Sequence, residues 1–258
     1  MLLAIDIGNT NTVFGLFEQQ QLKAHWRIRT DRQKTADEYG IICLQLLQFY
    51  QINPLELTAA VIVSVVPTVG TLLSAAVETF FNLNPLTVHY RLKTGLKLLY
   101  DQPEQLGADR LVNAAAAYFL YGGPVIIIDL GTATKFCVVS ACGEYLGGII
   151  APGIKSLAET LSNSADQLPR FELAKPPTVI GTNTLHCMQS GIINGQIAMI
   201  TGLIQQIKTE LNLSKIKVVA TGGLANLIAS TVPDVDTINP YLTLEGLQLI
   251  YQMNREWI

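Results

Sequence analysis

The segment Asp6-Ile7-Gly8-Asn9-Thr10-Asn11 returns in altered form at Asp129-Leu130-Gly131-Thr132-Ala133-Thr134. Each copy ends an apolar, strand-like run, 2–5 and 125–128, and precedes a second such run, 12–17 and 136–140. The two aspartates lie 123 positions apart in a chain of 258 residues. A repeat at half the chain length predicts two similar halves facing each other. A strand, an Asp-x-Gly turn with hydroxyl and amide side chains, and a second strand make a phosphate cradle, because successive turn N–H groups attract anions. The first hypothesis is a phosphoryl-transfer enzyme.

The first half reads β-β-β-α-β-α-β-α. Strands over 2–7, 12–17 and 22–29 are joined by short polar turns. Thr35-Ala36-Asp37-Glu38 fits a capping box poorly, but its acidic pair suits a helix N-terminus. Tyr39, Ile42, Leu46 and Phe49 then recur at helical spacing. The run over 60–65 is β-branched, as expected of a buried parallel strand, and Pro67 opens a helix through residue 81. A strand over 86–89 and an alanine-rich helix over 108–120 complete this half. The second half repeats the order, with strands over 125–130, 135–140 and 145–150. An insertion rich in proline and polar residues over 161–184 precedes a long helix over 185–211. A strand over 217–220, the turn Gly222-Gly223, a helix over 224–229, a strand over 235–238 and a last helix over 244–254 follow. The halves are placed at 1–115 and 116–258, with the last helix packing back on the first half. This matched order resembles the α/β fold of the actin/hexokinase (ribonuclease H-like) type, which binds nucleotide in the cleft between its halves.

Composition narrows the function. Hydrophobic residues make up 49% of the chain, ample for a buried core. The formal net charge of -3 supplies no electrostatic footprint for nucleic acid or an anionic membrane. The stretch 111–128 has the length of a membrane span, but Asn113 and Gly122-Gly123-Pro124 break it into helix, turn and strand. Asp6 interrupts the N-terminal apolar run and no basic residue precedes it, so a signal peptide is not expected. Cys43, Cys137, Cys142 and Cys187 lack metal-ligand spacing and read as reduced thiols of a cytoplasmic protein. The three histidines are far apart and form no metal motif.

Two constellations carry chemistry. In the first turn, Gly8 lets backbone approach a ligand, and Asn9, Thr10, Asn11 and Thr12 offer polar groups. Asp6 alone would repel phosphate, so its expected task is to hold hydrated Mg²⁺ beside it. An ordinary hairpin capped by Asp and Asn reads the same way locally; the second copy at Asp129 favours function. No G-x-x-x-x-G-K-[ST] string is present, which excludes a P-loop enzyme. The second constellation is Gly107-Ala108-Asp109-Arg110, where a loop turns into the alanine-rich helix. Asp109 either caps that helix or accepts a proton from a substrate hydroxyl. Arg110 can grip a carboxylate or phosphate with paired donors. A base acting on an alcohol has only to take the proton as the phosphorus–oxygen bond develops.

Six segments occur in order: Asp6-Ile7-Gly8-Asn9-Thr10-Asn11-Thr12, Thr35-Ala36-Asp37-Glu38-Tyr39, Gly107-Ala108-Asp109-Arg110, Asp129-Leu130-Gly131-Thr132-Ala133, Gly147-Gly148-Ile149-Ile150-Ala151-Pro152-Gly153 and Thr221-Gly222-Gly223. With them the chain resembles the type III pantothenate kinases from Asp6 to Leu249. The resemblance implies ATP-dependent phosphorylation of the primary hydroxyl of pantothenate, the first step of coenzyme A synthesis. It implies that Asp6, Ile7, Gly8, Asn9, Thr10, Asn11, Thr12, Val13 and Thr132 line the ATP site. It implies Asp109 as proton acceptor, and Tyr100, Gly107, Ala108, Asp109, Arg110 and Thr184 as pantothenate contacts. Asp129 would hold a monovalent cation, K⁺ or NH₄⁺. The resemblance also implies a homodimer in which Thr184 reaches the substrate site of the partner subunit. Taken alone, Tyr100 reads equally as a half-buried strand tyrosine, Thr182-Asn183-Thr184 as a helix N-cap, and Gly222-Gly223 as a plain strand-to-helix turn. The rival functions are a kinase for another small hydroxylated substrate and a noncatalytic transcription accessory factor of the same family.

The second repeat departs from the family. Lys135 and Cys137 stand where threonine and aspartate are common, and strand alternation puts them on one face. Either Lys135 is solvent-facing and inert, or its ammonium alters the cation site or contacts phosphate. Lys97 and Gln102 likewise replace a frequent proline and asparagine.

Overall fold

The computed structural model describes residues 1–163, 168 and 171–257. The chain forms two compact units, one of residues 1–116 with 241–258 and one of residues 117–240.

The first unit opens with β1 (Leu2–Ile7), β2 (Asn11–Glu18) and β3 (Gln21–Arg29). There follow α1 (Ala36–Phe49), β4 (Ala59–Ser64), α2 (Pro67–Phe81), β5 (Leu86–Thr87), β6 (Lys97–Leu98) and α3 (Ala108–Tyr121), whose N-terminal part lies in this unit. The sheet order is β3-β2-β1-β4-β5. β1, β2 and β3 pair antiparallel, and β4 runs parallel to both β1 and β5. β1 is covered on both faces, which is why its sequence is continuously apolar rather than alternating. Leu3, Ile5 and Ile7 join a core with residues of α1 and α2. Leu2 and Ala4 face the other way, into a core with Val112 and Ala115 of α3 and Leu244, Leu247 and Ile250. Those last three belong to α7 (Leu242–Asn254), which packs on β1, β4 and β2. The outer strand β3 alternates, with Lys23, His25, Arg27 and Arg29 exposed and Ala24 and Trp26 buried. Charge on this edge discourages unwanted strand pairing.

The second unit repeats the plan with β7 (Val125–Leu130), β8 (Ala133–Val139), β9 (Glu144–Pro152), α4 (Ile154–Asn163), α5 (Thr184–Glu210), β10 (Lys217–Thr221), α6 (Ala225–Ile228) and β11 (Thr237–Ile238). These strands run in the order β9-β8-β7-β10-β11, the counterpart of β3-β2-β1-β4-β5 in neighbours and directions. Ile126, Ile128 and Leu130 enter a core with Ile193, Ile200 and Ile204 of α5.

Three readings of the sequence need correction. Thr35 and Glu38 do form a capping box: the Thr35 hydroxyl accepts from the Glu38 N–H at 3.2 Å, and the Glu38 carboxylate accepts from the Thr35 N–H at 2.7 Å. The T-x-x-E spacing was sufficient for it. No helix was expected before residue 161, yet α4 occupies Ile154–Asn163. Its apolar residues Ile154, Leu157, Ala158 and Leu161 do recur at helical spacing. The helix expected over 224–229 is a single α-turn continued by a 3-10 turn, Ala229–Thr231. The expected insertion over 161–184 lies partly outside the described residues. Among the described residues, no helix is long and apolar enough to cross a membrane.

Candidate functional site

Asp6 is the last residue but one of β1 and shares its face with Leu2 and Ala4, the face covered by α3 and α7. The turn after it is locked from within. The Gly8 N–H donates to the Asn11 carbonyl at 3.0 Å, and the Thr30 N–H donates to the Thr10 carbonyl at 3.0 Å. The Thr30 hydroxyl donates to the Gly8 carbonyl at 2.7 Å and meets the Thr12 hydroxyl at 2.9 Å. Three turn carbonyls are therefore consumed by the protein itself, which removes negative dipole ends from the ligand side. The side chains of Asn9 and Thr10 remain exposed, whereas Ile7 and Thr12 are fully buried. Ile7 and Thr12 thus shape the turn from beneath. Thr30 was not singled out from sequence; no local pattern marks a threonine 22 residues from the glycine it braces.

The N-terminus of α3 holds the second constellation. The Asp109 carboxylate accepts from the Arg110 N–H at 2.8 Å, so it satisfies one of the orphan donors of the first helical turn. A Cβ on Gly107 would lie 2.7 Å from Asp109 Oδ1, so glycine is what allows the carboxylate this position. Asp109 stays half-buried and Arg110 is buried, with its guanidinium 5.9 Å from the centre of the Tyr100 ring. Tyr100 lies in the loop after β6, not in a strand. It offers Arg110 a cation–π surface that an aliphatic residue would not.

In the second unit Asp129 sits at the end of β7, in the place Asp6 has on β1. Its directly opposed residue on β8 is Lys135, whose Nζ lies 3.0 Å from Asp129 Oδ2. Both side chains are about one-fifth exposed, at 20% and 19%. The solvent-facing alternative for Lys135 is thereby excluded. Cys137, on the same strand, is buried and its Sγ accepts from the Tyr145 hydroxyl at 3.4 Å. Thr132 is exposed at the tip of the turn. Behind it, a Cβ on Gly153 would lie 2.2 Å from the Thr132 carbonyl oxygen, and the Ser156 hydroxyl donates to that oxygen at 3.4 Å. Gly222, at φ +95°, closes on Asp129 from the β10–α6 turn. Thr134, the counterpart of Thr12, is likewise buried and donates to Gln196 Oε1 at 3.3 Å. Thr184 is exposed as the first residue of α5, whose N-cap is Asn183.

The four cysteines are free thiols, and burial pushes Cys43 up to about 12, which makes it chemically inert. Among the described residues no group of three or more His, Cys, Asp or Glu side chains converges on a metal position. Phosphate-bound Mg²⁺ does not need one, since one or two carboxylates suffice.

Residues 2–206 match the family of type III pantothenate kinases. A curated type III pantothenate kinase from Moorella thermoacetica is 48% identical over 254 residues, spanning 98% of this chain and 100% of the relative. The chain belongs to the type III pantothenate kinase family. Among solved structures, a Campylobacter jejuni protein assigned to the Baf family of transcriptional activators has a TM-score of 0.62 at 19% identity, covering 98% of this chain and 99% of its own. The ROK hexokinase of Thermus thermophilus has a TM-score of 0.56 at 10% identity, covering 100% and 99%. At such identities these likenesses show the fold, which is of the actin/hexokinase type.

Proposed function

We propose that this protein transfers the γ-phosphoryl group of ATP to the primary hydroxyl of pantothenate, with Asp109 as general base. The observation that carries this reading is Gly107-Ala108-Asp109-Arg110 at the start of α3 beside Tyr100, in a chain of this family. The hydroxyl oxygen attacks the γ-phosphorus, its proton passes to the Asp109 carboxylate, and ADP departs with the bridging electron pair. Arg110 holds the pantothenate carboxylate, and the Tyr100 ring flanks it. The turn from Asp6 to Val13 cradles phosphate, and Thr132 contributes a further phosphate contact. The residues fit Mg²⁺: Asp6 is a half-buried hard oxygen donor beside a turn whose carbonyls point inward. When bound, Mg²⁺ neutralises phosphate charge.

The monovalent cation fits less well. The Asp129 carboxylate that would hold K⁺ or NH₄⁺ already carries the Lys135 ammonium, and no step is assigned to an added ion. A homodimer is supported by exposed apolar residues near the start of α5, Val179 at 72%, Ile180 at 82% and Leu185 at 42%. Thr184 lies within this patch. A cytoplasmic location belongs to the same proposal, supported by the four free thiols. ATP consumption with pantothenate, set against a panel of sugars and acetate, tests the substrate. Turnover with pantothenate alone is expected; turnover with a sugar instead rejects the reading. In the same assay, Asp109→Asn is expected to lower kcat by about 10²–10⁴-fold with ATP affinity retained.

A further inference from the structure

The two Asp-x-Gly turns occupy equivalent register positions yet face different partners. Asp6 is directly opposed by Val13 on β2, and Asp129 by Lys135 on β8. The first carboxylate has an apolar residue opposite it. The second is given a cation by its own chain: a 3.0 Å contact, both side chains about four-fifths covered, and the β7–β8 pairing fixing the approach. A partly desolvated carboxylate must have a counter-charge, and an ammonium provides it with directional hydrogen bonds. The other oxygen, Oδ1, is crowded by Gly222, whose Cβ, were there one, would lie 2.6 Å away. The Gly222 backbone therefore lies against the second oxygen of the pair.

We infer that Lys135 is a tethered monovalent cation, and that this kinase does not use added K⁺ or NH₄⁺. A covalently held charge is present at high effective concentration and has no dissociation equilibrium to satisfy. The inference rests on the pantothenate kinase reading only for its activity arm. In that arm, pantothenate turnover is measured in choline chloride and in KCl at matched ionic strength. A change within about twofold is expected for the wild-type chain; stimulation of tenfold or more by K⁺ overturns the proposal and leaves the substrate assignment standing. The second arm needs no substrate. Thermal unfolding of the unliganded protein in the same two salts should coincide for wild type, whereas Lys135→Met should gain a K⁺-dependent rise in Tm, because an ion that binds the folded state stabilises it. Equal response of wild type and Lys135→Met to K⁺ overturns the proposal. If Lys135→Met fails to fold, Lys135→Arg decides: coincident unfolding in both salts supports the tethered charge, and a K⁺-dependent Tm rejects it. Absence of turnover with pantothenate in either salt rejects the function while the unfolding arm still settles Lys135.

Discussion

A single hydroxyl shows how much of the site is built from behind. Thr30 is at the end of β3, outside every recognisable motif, yet its N–H and its Oγ1 each hold a carbonyl of the phosphate turn. Replacing it with valine keeps the shape and leaves the Gly8 carbonyl and the Thr12 hydroxyl without that partner. An unsatisfied buried acceptor costs about 1–3 kcal/mol, and here the cost falls on the turn. Thr30→Val is expected to raise the KM for ATP by about tenfold while the KM for pantothenate stays unchanged. Steady-state kinetics with each substrate varied in turn checks this; equal change in both constants shows that the turn is not what Thr30 supports. At this scale the sequence was informative for Asp6, Asp109 and Arg110, whose chemical types announce them. It was silent on Thr30, Ser156 and Gln196, which are ordinary polar residues until the chain brings them to a turn far away in sequence.

Among elements, α7 decides the most for its length. Its approach to α3 is set by Gly246, where a Cβ would lie 2.6 Å from the Val112 carbonyl oxygen and 2.7 Å from Val112 Cγ1. The first obstacle is backbone, which cannot rotate away. The Thr243 hydroxyl also donates to Asn113 Oδ1 at 2.8 Å, fixing the register of the two helices. Gly246→Ala is expected to cost about 1–3 kcal/mol of stability, read as a Tm several degrees lower. Because α3 carries Asp109 on its first turn, kcat should fall with it. An unchanged Tm would show that the helices can part without loss. The helix itself was readable from the apolar spacing of Leu244, Leu247 and Ile250, but the demand for glycine at its contact was not.

For the whole molecule, the decisive fact is that the chain returns to its beginning: residues 241–258 complete the unit formed by residues 1–116. Leu242, Leu244, Leu247 and Ile250 are all at most 2% exposed. Burying each is worth about 1.5–3 kcal/mol, so together they rival the roughly 5–15 kcal/mol that holds an ordinary protein folded. A chain ending at Pro240 is expected to lose the cooperative unfolding of the first unit, seen by calorimetry and by rapid trypsin cleavage before residue 116. Persistence of that transition would show that α7 is dispensable. Acid should also lower the stability of the protein. The Lys208 ammonium, at 2.6 Å, holds the Asp234 carboxyl below its ordinary range against the opposing effect of burial, with help from the Gln205 amide at 2.9 Å. A carboxylate lowered in the folded state contributes stability that is complete above its unfolded value and is lost as pH falls through its folded value. Tm is expected to be flat down to about pH 5 and to drop below about pH 4. In Asp234→Asn the drop should be shallower and the plateau lower.

The sequence by itself determined the duplicated plan, the two Asp-x-Gly turns and the Gly107–Arg110 constellation, because strand alternation, helical spacing and glycine-bearing turns are local properties of the chain. It left three things to the tertiary structure: that Lys135 faces Asp129, that Thr30 and Gly153 support the two turns, and that Gly246 sets the approach of α7 to α3. Each depends on strand register or on packing between residues distant along the chain, and no local rule encodes where a side chain will meet a partner from another element.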